Sequence, residues 1–129
     1  MRGDEIRALA ERFFDAIEAG DIAAVRAAYA PDAVIWHNTD ELATSVEDNV
    51  ETLTGFVKRI RDRRYRDRRL EVFDGGFVQQ HVLHGVRADG VAVTLPACIV
   101  CQVKDGRISR LDEYFDSARV AVFRQSASA

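Results

Sequence analysis

Apolar residues in the first sixty positions of the chain recur with the spacing of an amphipathic α-helix. The first run comprises Ile6, Leu9, Ala10, Phe13, Phe14 and Ile17. These residues fall on one helix face, and Gly20 is expected to end the helix. Asp21 predicts the start of a second, shorter helix that stops before Pro31. The capping-box pattern Thr44-Ser45-Val46-Glu47 predicts a third helix, whose apolar positions are Val50, Leu53, Phe56, Val57 and Ile60.

The second half of the chain has the two-residue period of β-strands. Asp-Gly pairs at positions 74, 89 and 105 separate four apolar runs, and Asp-Gly between such runs is a strong hairpin signal. We therefore predict a four-stranded antiparallel meander over residues 65–73, 77–87, 91–103 and 107–115. Pro96 predicts a bulge inside the third of these strands, because proline has no N–H to donate. Residues 34–37 predict one further short strand.

Helices followed by hairpins indicate an α+β protein, with three N-terminal helices packed on one face of a curved antiparallel sheet. The 129 residues suit one domain, which we place at residues 1–124. Residues 125–129 are expected to form a disordered tail. The first residues are charged, and no apolar run approaches the roughly 18 residues of a membrane helix. A cytoplasmic location is therefore expected.

Charge and cysteine content narrow the range of partners. Lysine and arginine number 18 against 21 acidic residues, a net charge of −3, which disfavours nucleic acid and anionic membranes as partners. Cys98 and Cys101 have C-x-x-C spacing, but on a strand their side chains point apart, so we interpret both as small core residues. No His, Cys, Asp or Glu set has the spacing of metal ligands, and we predict no metal and no other cofactor.

The last predicted strand carries a carboxylate between apolar neighbours. Leu111, Glu113 and Phe115 share one face of this strand, because side chains alternate. If that face lines an apolar interior, the carboxylate loses hydration and becomes a candidate acid or base. The alternative is that Glu113 lies on an open face or pairs with an arginine. Ile108 and Tyr114 lie among charges on the opposite face, a mixed surface that suits a homodimer interface.

The segment Trp36-His37-Asn38 holds a second group of candidates. Alternation puts Trp36 and Asn38 on one face and His37 on the other. Trp36 and Asn38 either frame a ligand with an apolar wall and an amide, or fill core and cap a turn. His37 is a candidate base at neutral pH, although a single histidine near a strand end is more often structural.

A third candidate lies on the second predicted strand of the meander. His81 and Gln79 share a face with the apolar residues Phe77 and Leu83. A polar pair among apolar neighbours is typical either of a functional site or of a hydrogen-bonded histidine within a sheet. We predict that His81 and Glu113 lie in one pocket, near enough to interact directly or through one water.

Four segments of the chain carry a family resemblance. They are FFDAIEAGD at 13–21, YAPDAV at 29–34, VKDGRI at 103–108 and EYFD at 113–116. They resemble the SnoaL-like branch of the nuclear transport factor two-like superfamily over nearly the whole chain. The resemblance implies a cone of helices and a strongly curved sheet around one pocket, commonly in a dimer formed through the outer sheet face. The superfamily includes ketosteroid isomerases, limonene epoxide hydrolases, polyketide cyclases, dehydratases and non-enzymes.

The resemblance to ketosteroid isomerases implies a base in this chain but no donors for an oxyanion hole. Those enzymes use an aspartate base, with a tyrosine and a protonated aspartate as the oxyanion hole. His37 stands at the matching position of the base, Phe13 at that of the tyrosine and Ile99 at that of the second acid. The loss of both donors argues against steroid isomerase chemistry.

The resemblance to limonene epoxide hydrolases implies a different set of site residues. Those enzymes orient a water with a tyrosine, an asparagine and an aspartate, which match Trp36, Asn38 and Glu113 here. Their arginine-x-aspartate pair falls at residues 81–83, where the acid that protonates the epoxide is missing. The epoxide hydrolase resemblance implies that Trp36 and Asn38 face the pocket, whereas the ketosteroid isomerase resemblance implies that His37 faces it. Because side chains alternate along a strand, the two implications are compatible only if a bulge intervenes.

These observations lead to one functional hypothesis and two alternatives. The hypothesis is a homodimeric, cofactor-independent acid–base enzyme for a hydrophobic cyclic small molecule, carrying out isomerisation, cyclisation, dehydration or hydrolysis. Glu113 is the predicted base and His81 or His37 its partner acid. The predicted substrate-binding residues are Trp36, Asn38, Phe13, Leu111 and Phe115. The alternatives are a non-catalytic ligand-binding module and a protein-association module that uses its open sheet face.

Overall fold

A computed structural model describes residues 1–125 of the chain. It contains helices α1 (Gly3–Ala19), α2 (Ile22–Ala28), α3 (Val46–Arg59) and α4 (Ser117–Arg124), and strands β1 (Tyr29–His37), β2 (Ala43–Thr44), β3 (Ile60–Phe73), β4 (Gly76–Arg87), β5 (Ala92–Lys104) and β6 (Arg107–Phe115). The α+β class is therefore confirmed. Of the predicted tail, residues 126–129 lie outside the described residues.

The helix ends follow from local chemistry that the sequence displays. Gly20 ends α1 in the left-handed conformation, with φ of 74°, which glycine adopts without steric cost. The Asp21 side chain accepts a hydrogen bond from Ala24 N at 3.1 Å and so caps α2. The box that opens α3 is formed by Ser45 and Asp48. The predicted box started at Thr44, one residue too early.

The six strands form one curved sheet in the order β2-β1-β6-β5-β4-β3. The hairpins of the meander, β3 to β6, are antiparallel as predicted. The prediction of a wholly antiparallel sheet is wrong, because β1 pairs with β6 in parallel. This pairing joins residues at least 76 positions apart along the chain, such as His37 and Glu113, so no local turn signal predicts it. Strand β1 also begins before Pro31, in a stretch where its register with β6 shifts.

Two bulges bend the edge strand β3 over the helices. The register with β4 shifts between Arg61 and Arg64 and again between Arg66 and Arg69. Each shift contains an aspartate with positive φ, 55° at Asp62 and 56° at residue 67, a conformation that aspartate tolerates better than most residues. Such bulges increase local twist, which lets the sheet wrap around a cavity. The bulge predicted at Pro96 is absent, since its register with β4 is continuous.

Helix α1 holds the bent strand in place through one carboxylate. Glu18 Oε2 accepts a hydrogen bond from the backbone N–H of Tyr65 at 2.6 Å. The same oxygen lies 3.0 Å from Nη2 of Arg68. Part of the basic run from residue 58 to 69 therefore has a structural task, because it fastens the stretch between the two bulges to the helix layer.

A fourth helix follows the last strand, where the sequence analysis predicted none. Val120 and Phe123 of α4 are buried against apolar residues of β3, β4 and β5. The Arg87 guanidinium donates to the carbonyl of Val122 at 3.1 Å and to Gln125 Oε1 at 2.8 Å. Arg87 thus joins the backbone N–H of Gln125, which donates to the same Val122 carbonyl at 3.3 Å, at the C-terminal end of the helix. Gln125, the first residue of the predicted tail, is thus a described and hydrogen-bonded residue.

The inner face of the sheet packs on the helices, and none of the four helices within residues 1–125 covers its outer face. The alternation along β6 changes at a bulge between Ile108 and Arg110, where the register with β5 shifts. Ile108 is therefore buried in the core, not on the outer face as predicted. Cys101 is also buried, whereas Cys98 is half-buried on the outer face, which corrects its assignment to the core. Among residues 1–125, no helix is long and apolar enough to cross a membrane.

Candidate functional site

A cavity of about 210 Å³ lies between the inner sheet face and helices α3 and α4. Its apolar wall includes Phe13 of α1, Leu111 and Phe115 of β6, and Ile99 of β5. Pockets for drug-sized ligands span roughly 300–1,000 Å³, so this smaller space suits a molecule of one or two rings. Three of the five predicted substrate-binding residues, Phe13, Leu111 and Phe115, line it.

Two ionisable side chains meet in the cavity, one from each strand of the parallel pair. His37 lies beside Glu113 in the ladder between β1 and β6. The distance between His37 Nε2 and Glu113 Oε1 is 3.2 Å, with side-chain exposures of 22% and 18%. The imidazole also stacks on the Phe115 ring, with centroids 5.6 Å apart. The structure therefore brings together two of the three predicted catalytic residues on an aromatic support.

Burial and charge act in opposite directions on His37. Desolvation alone lowers the pKa of the imidazole, because burial penalises its charged form. The hydrogen bond and the negative charge of Glu113 raise the pKa of His37, Asp40 adds to this, and the net pKa lies above the usual value. The contact with Glu113 therefore favours the protonated form of His37, which burial alone would disfavour, and both side chains face the same apolar space.

A second polar group in the cavity was missed by the sequence analysis. The hydroxyl of Tyr29 donates to Asn49 Oδ1 at 2.9 Å, with both side chains buried. Burial is the main cause that raises the pKa of Tyr29 well above its usual value, and the charge of Glu113 contributes. A signal for Asn49 does exist, because it interrupts the apolar face of α3 between Val46 and Leu53.

The third predicted catalytic residue, His81, lies behind the cavity wall. Its side chain is 4% exposed, and the ring of Tyr65, which lines the cavity, packs against it at 4.5 Å between centroids. His81 Nδ1 is 2.9 Å from Gln79 Nε2, and its Nε2 has no hydrogen-bond partner among residues 1–125. Desolvation lowers the pKa of His81 to about 4. His81 has no hydrogen bond to Glu113, whose partner is His37.

The structure decides which residues of the first strand face inward. His37 enters the cavity, whereas Trp36 lies on the outer face, where its ring is 5.4 Å from that of Tyr114. Asn38 clamps the last strand: its Nδ2 donates to Phe115 O at 3.1 Å, and its Oδ1 accepts from Phe115 N at 3.0 Å. The predicted placement of Trp36 and Asn38 in the pocket is therefore wrong. Alternation points Trp36 to the outer face, and the Asn38 amide is engaged by the backbone of Phe115.

Acidic and basic side chains at the cavity do not assemble into a ligand set for a metal. Asp40 and Asp48 line its polar part together with Arg59 and Arg124. Within the described part of the chain, no group of three or more His, Cys, Asp or Glu side chains is placed to hold a metal ion. The same cavity also holds the carboxylate–imidazole pair of Glu113 and His37 and the phenol–amide pair of Tyr29 and Asn49.

A curved sheet that packs its inner face on helices around an apolar cavity with a few polar groups defines the nuclear transport factor two-like fold. The family model for the SnoaL-like domain matches residues 10–111. The chain belongs to this family, which confirms the resemblance identified in its sequence. No curated protein matches the sequence significantly.

Solved structures share this fold at low sequence identity. A candidate polyketide cyclase from Xanthomonas campestris pv. campestris has 20% identity and a TM-score of 0.83, over 93% of this chain and 96% of that one. An LEH-like epoxide hydrolase from M. tuberculosis has 22% identity and a TM-score of 0.74, over 92% and 87%. AclR, a candidate hydroxylase from Streptomyces galilaeus, has 15% identity and a TM-score of 0.84, over 94% and 96%. These likenesses establish the fold alone.

Proposed function

We propose that this protein is a cofactor-independent acid–base enzyme acting on a hydrophobic cyclic small molecule. The observation that carries the proposal is the contact of Glu113 with His37 at 3.2 Å inside an apolar cavity. A carboxylate beside an imidazole, away from bulk water, is one arrangement that can carry out general acid–base catalysis. Isomerisation, cyclisation, dehydration and hydrolysis can all proceed by proton transfer of this kind, and the names of the structural relatives support this range.

In this proposal Glu113 is the base, and His37 is its partner acid. His37 Nε2 lies 3.2 Å from one oxygen of Glu113, which leaves the second oxygen to accept a proton from the substrate. Phe115 supports the imidazole from one side. His81 has no hydrogen bond to Glu113 among the described ones, so we assign it no proton-transfer step and propose that it supports Tyr65 in the cavity wall. A cytoplasmic location remains a prediction from the sequence.

Filling the cavity tests whether it is the ligand site. Ile99→Trp is expected to weaken binding of 2-tetralone, a two-ring ketone, by at least tenfold in isothermal titration calorimetry, because the indole occupies the space of one ring. Val100→Trp is the matched control, since Val100 is the next residue on β5 and is half-buried on the opposite face. Equal affinity of the two variants, both folded by circular dichroism, would place the ligand elsewhere.

We also propose a homodimer that covers the outer face of the sheet. Tyr114 is 48% exposed there, beside an open groove that also includes Val82, Pro96 and Cys98. The exposed apolar side chains of this face favour association, and Asp67, Arg68 and Arg69 of the same groove would form its polar rim. The same surface fits the alternative of an association module. Sedimentation equilibrium at micromolar concentration is expected to give twice the mass of 14.4 kDa.

A charged substitution locates this interface. Val82→Asp is expected to give a monomer, because it places a charge among the apolar residues at which the two copies would meet. Leu42→Asp is the control, as Leu42 is an exposed apolar residue outside the groove. A wild-type monomer at these concentrations, or a dimer that survives Val82→Asp, would contradict the proposed interface.

A further inference from the structure

Strands β1 and β6 end together beside the acid–base pair, and one side-chain amide joins their ends. Strand β1 ends at His37 and strand β6 at Phe115. The backbone N–H of Asn38 donates to Glu113 O at 3.0 Å. The Asn38 side chain then pairs with Phe115 in both directions, because Nδ2 donates to its carbonyl at 3.1 Å and Oδ1 accepts from its N–H at 3.0 Å. One residue thus makes three hydrogen bonds to the strand that carries the carboxylate.

Both neighbours of the His37 imidazole lie on the segment that Asn38 holds. Glu113 Oε1 is 3.2 Å from His37 Nε2, and the ring of Phe115 stacks on the imidazole with 21° between the ring planes. Because His37 directly precedes Asn38, its backbone is fixed to residues 113 and 115 at the same point. The ends of secondary-structure elements open locally at little cost, and two additional bonds at this end oppose such opening.

We propose that Asn38 is a positioning residue, which holds His37, Glu113 and Phe115 in the alignment that proton transfer requires. This inference rests on the proposed function, because it explains how the acid–base pair is kept in register. Asn38 is not among the cavity-lining residues of the described chain, so it acts through its neighbours. Its amide carries a donor and an acceptor on one planar group and pairs with Phe115 as a strand backbone would. A displacement of about 1 Å can slow an enzymatic reaction by roughly 100-fold.

The test compares the wild type with Asn38→Ala and Ser109→Ala. Asn38→Ala removes both bonds to the backbone of Phe115 and leaves the net charge unchanged. Ser109→Ala is the matched control, because Ser109 lies at the other end of β6 and its hydroxyl donates to Gln102 O at 3.2 Å. The control therefore also removes a bond between strands, but at a distance from the pair. Thermal melts show whether each variant folds.

The first measurement is the pKa of His37, obtained by NMR titration of its imidazole. Burial lowers this pKa, whereas the hydrogen bond with Glu113 and its charge raise it, with a net increase. We expect a lower His37 pKa in Asn38→Ala, because the carboxylate is no longer held against the nitrogen, and an unchanged value in the control. The other charged groups that line the cavity are the same in all three proteins: Asp40, Asp48, Arg59 and Arg124.

The second measurement is the exchange of the α-protons of 2-tetralone for deuterium, which reports proton transfer in the cavity. We expect Asn38→Ala to slow this exchange by about tenfold or more. The calorimetric affinity for 2-tetralone is expected to stay unchanged, because the walls of the cavity are unaltered. Asn38→Ser keeps one polar atom at this position and is expected to show smaller changes in the same direction.

An unchanged His37 pKa or an unchanged exchange rate in folded Asn38→Ala would overturn this inference and leave the proposed function intact. Equal changes in Ser109→Ala would overturn it as well, because any lost bond between strands would then have the same effect. Failure of both Asn38 variants to fold would assign the residue a purely structural role and overturn it too. If the wild type catalyses no exchange, the proposed function is wrong, and the NMR titration still decides whether Asn38 positions the pair.

Discussion

Replacing Glu113 with glutamine is expected to abolish proton transfer in the cavity while leaving ligand binding nearly unchanged. Glutamine keeps the size and one acceptor oxygen of the side chain, but its amide cannot take up a proton at neutral pH. A positioned general base contributes about 10²–10⁴-fold to a rate, so a loss of this size is expected. The measurement is the exchange of the α-protons of 2-tetralone for deuterium, followed by proton NMR, with calorimetry for the affinity.

The choice of readout makes this test independent of the natural substrate. Abstraction of a proton next to a carbonyl is a minimal step that a carboxylate base in an apolar site performs. His37→Gln is the companion variant, because it removes the contact at 3.2 Å and leaves the carboxylate. We expect a smaller loss for it, together with a changed pH profile. Exchange that continues at the wild-type rate in Glu113→Gln would favour the non-catalytic ligand-binding module.

Local signals predicted most of the fold correctly. The Asp-Gly pairs mark tight turns between antiparallel strands, and the three turns sit between β3, β4, β5 and β6. The helix caps at Gly20 and Asp21 are likewise local, because each depends on one residue and its neighbours. Features of this kind need no knowledge of distant segments, which explains why sequence patterns suffice for them.

The errors in the predicted fold arise from pairings between distant segments and from bulges. The parallel contact of β1 with β6 has no turn to signal it, and it determines that His37 meets Glu113. The bulge in β6 moves Ile108 from the outer face to the core, because one extra residue inverts the alternation. Helix α4 packs through Val120 and Phe123 alone among its side chains, too few apolar positions to show a clear helical period.

The candidate site was predicted where a polar residue interrupts an apolar pattern on a regular strand. Glu113 between Leu111 and Phe115 is such a case, and all three line the cavity. The same reasoning applied to α3 would have identified Asn49 among its apolar neighbours. It also selected His81, which shares an inward strand face but stands behind Tyr65. Alternation predicts which face of the sheet a side chain lies on. Whether that side chain reaches the cavity or is covered by a neighbour depends on the curvature of the sheet, which alternation does not predict.

The buried His81 is expected to make the protein less stable in acid. Desolvation lowers its pKa in the folded state to about 4, against 6.5 as the usual value. Between these two values the unfolded chain binds a proton that the folded chain does not, so stability is lost as the pH falls. From pH 7 to pH 4.5 this one group accounts for a loss of roughly 2 kcal/mol. Urea denaturation at both pH values measures it.

His81→Gln isolates this contribution, because glutamine does not titrate and can keep the bond to Gln79. The variant is expected to lose roughly 2 kcal/mol less than the wild type over the same pH interval. His37→Gln gives a comparison of opposite sign. The raised pKa of His37 stabilises the folded state below pH 6.5, and that stabilisation is lost as the pH rises through the folded-state pKa. Parallel acid losses in the wild type and His81→Gln would mean that the protein hydrates and protonates His81 without unfolding.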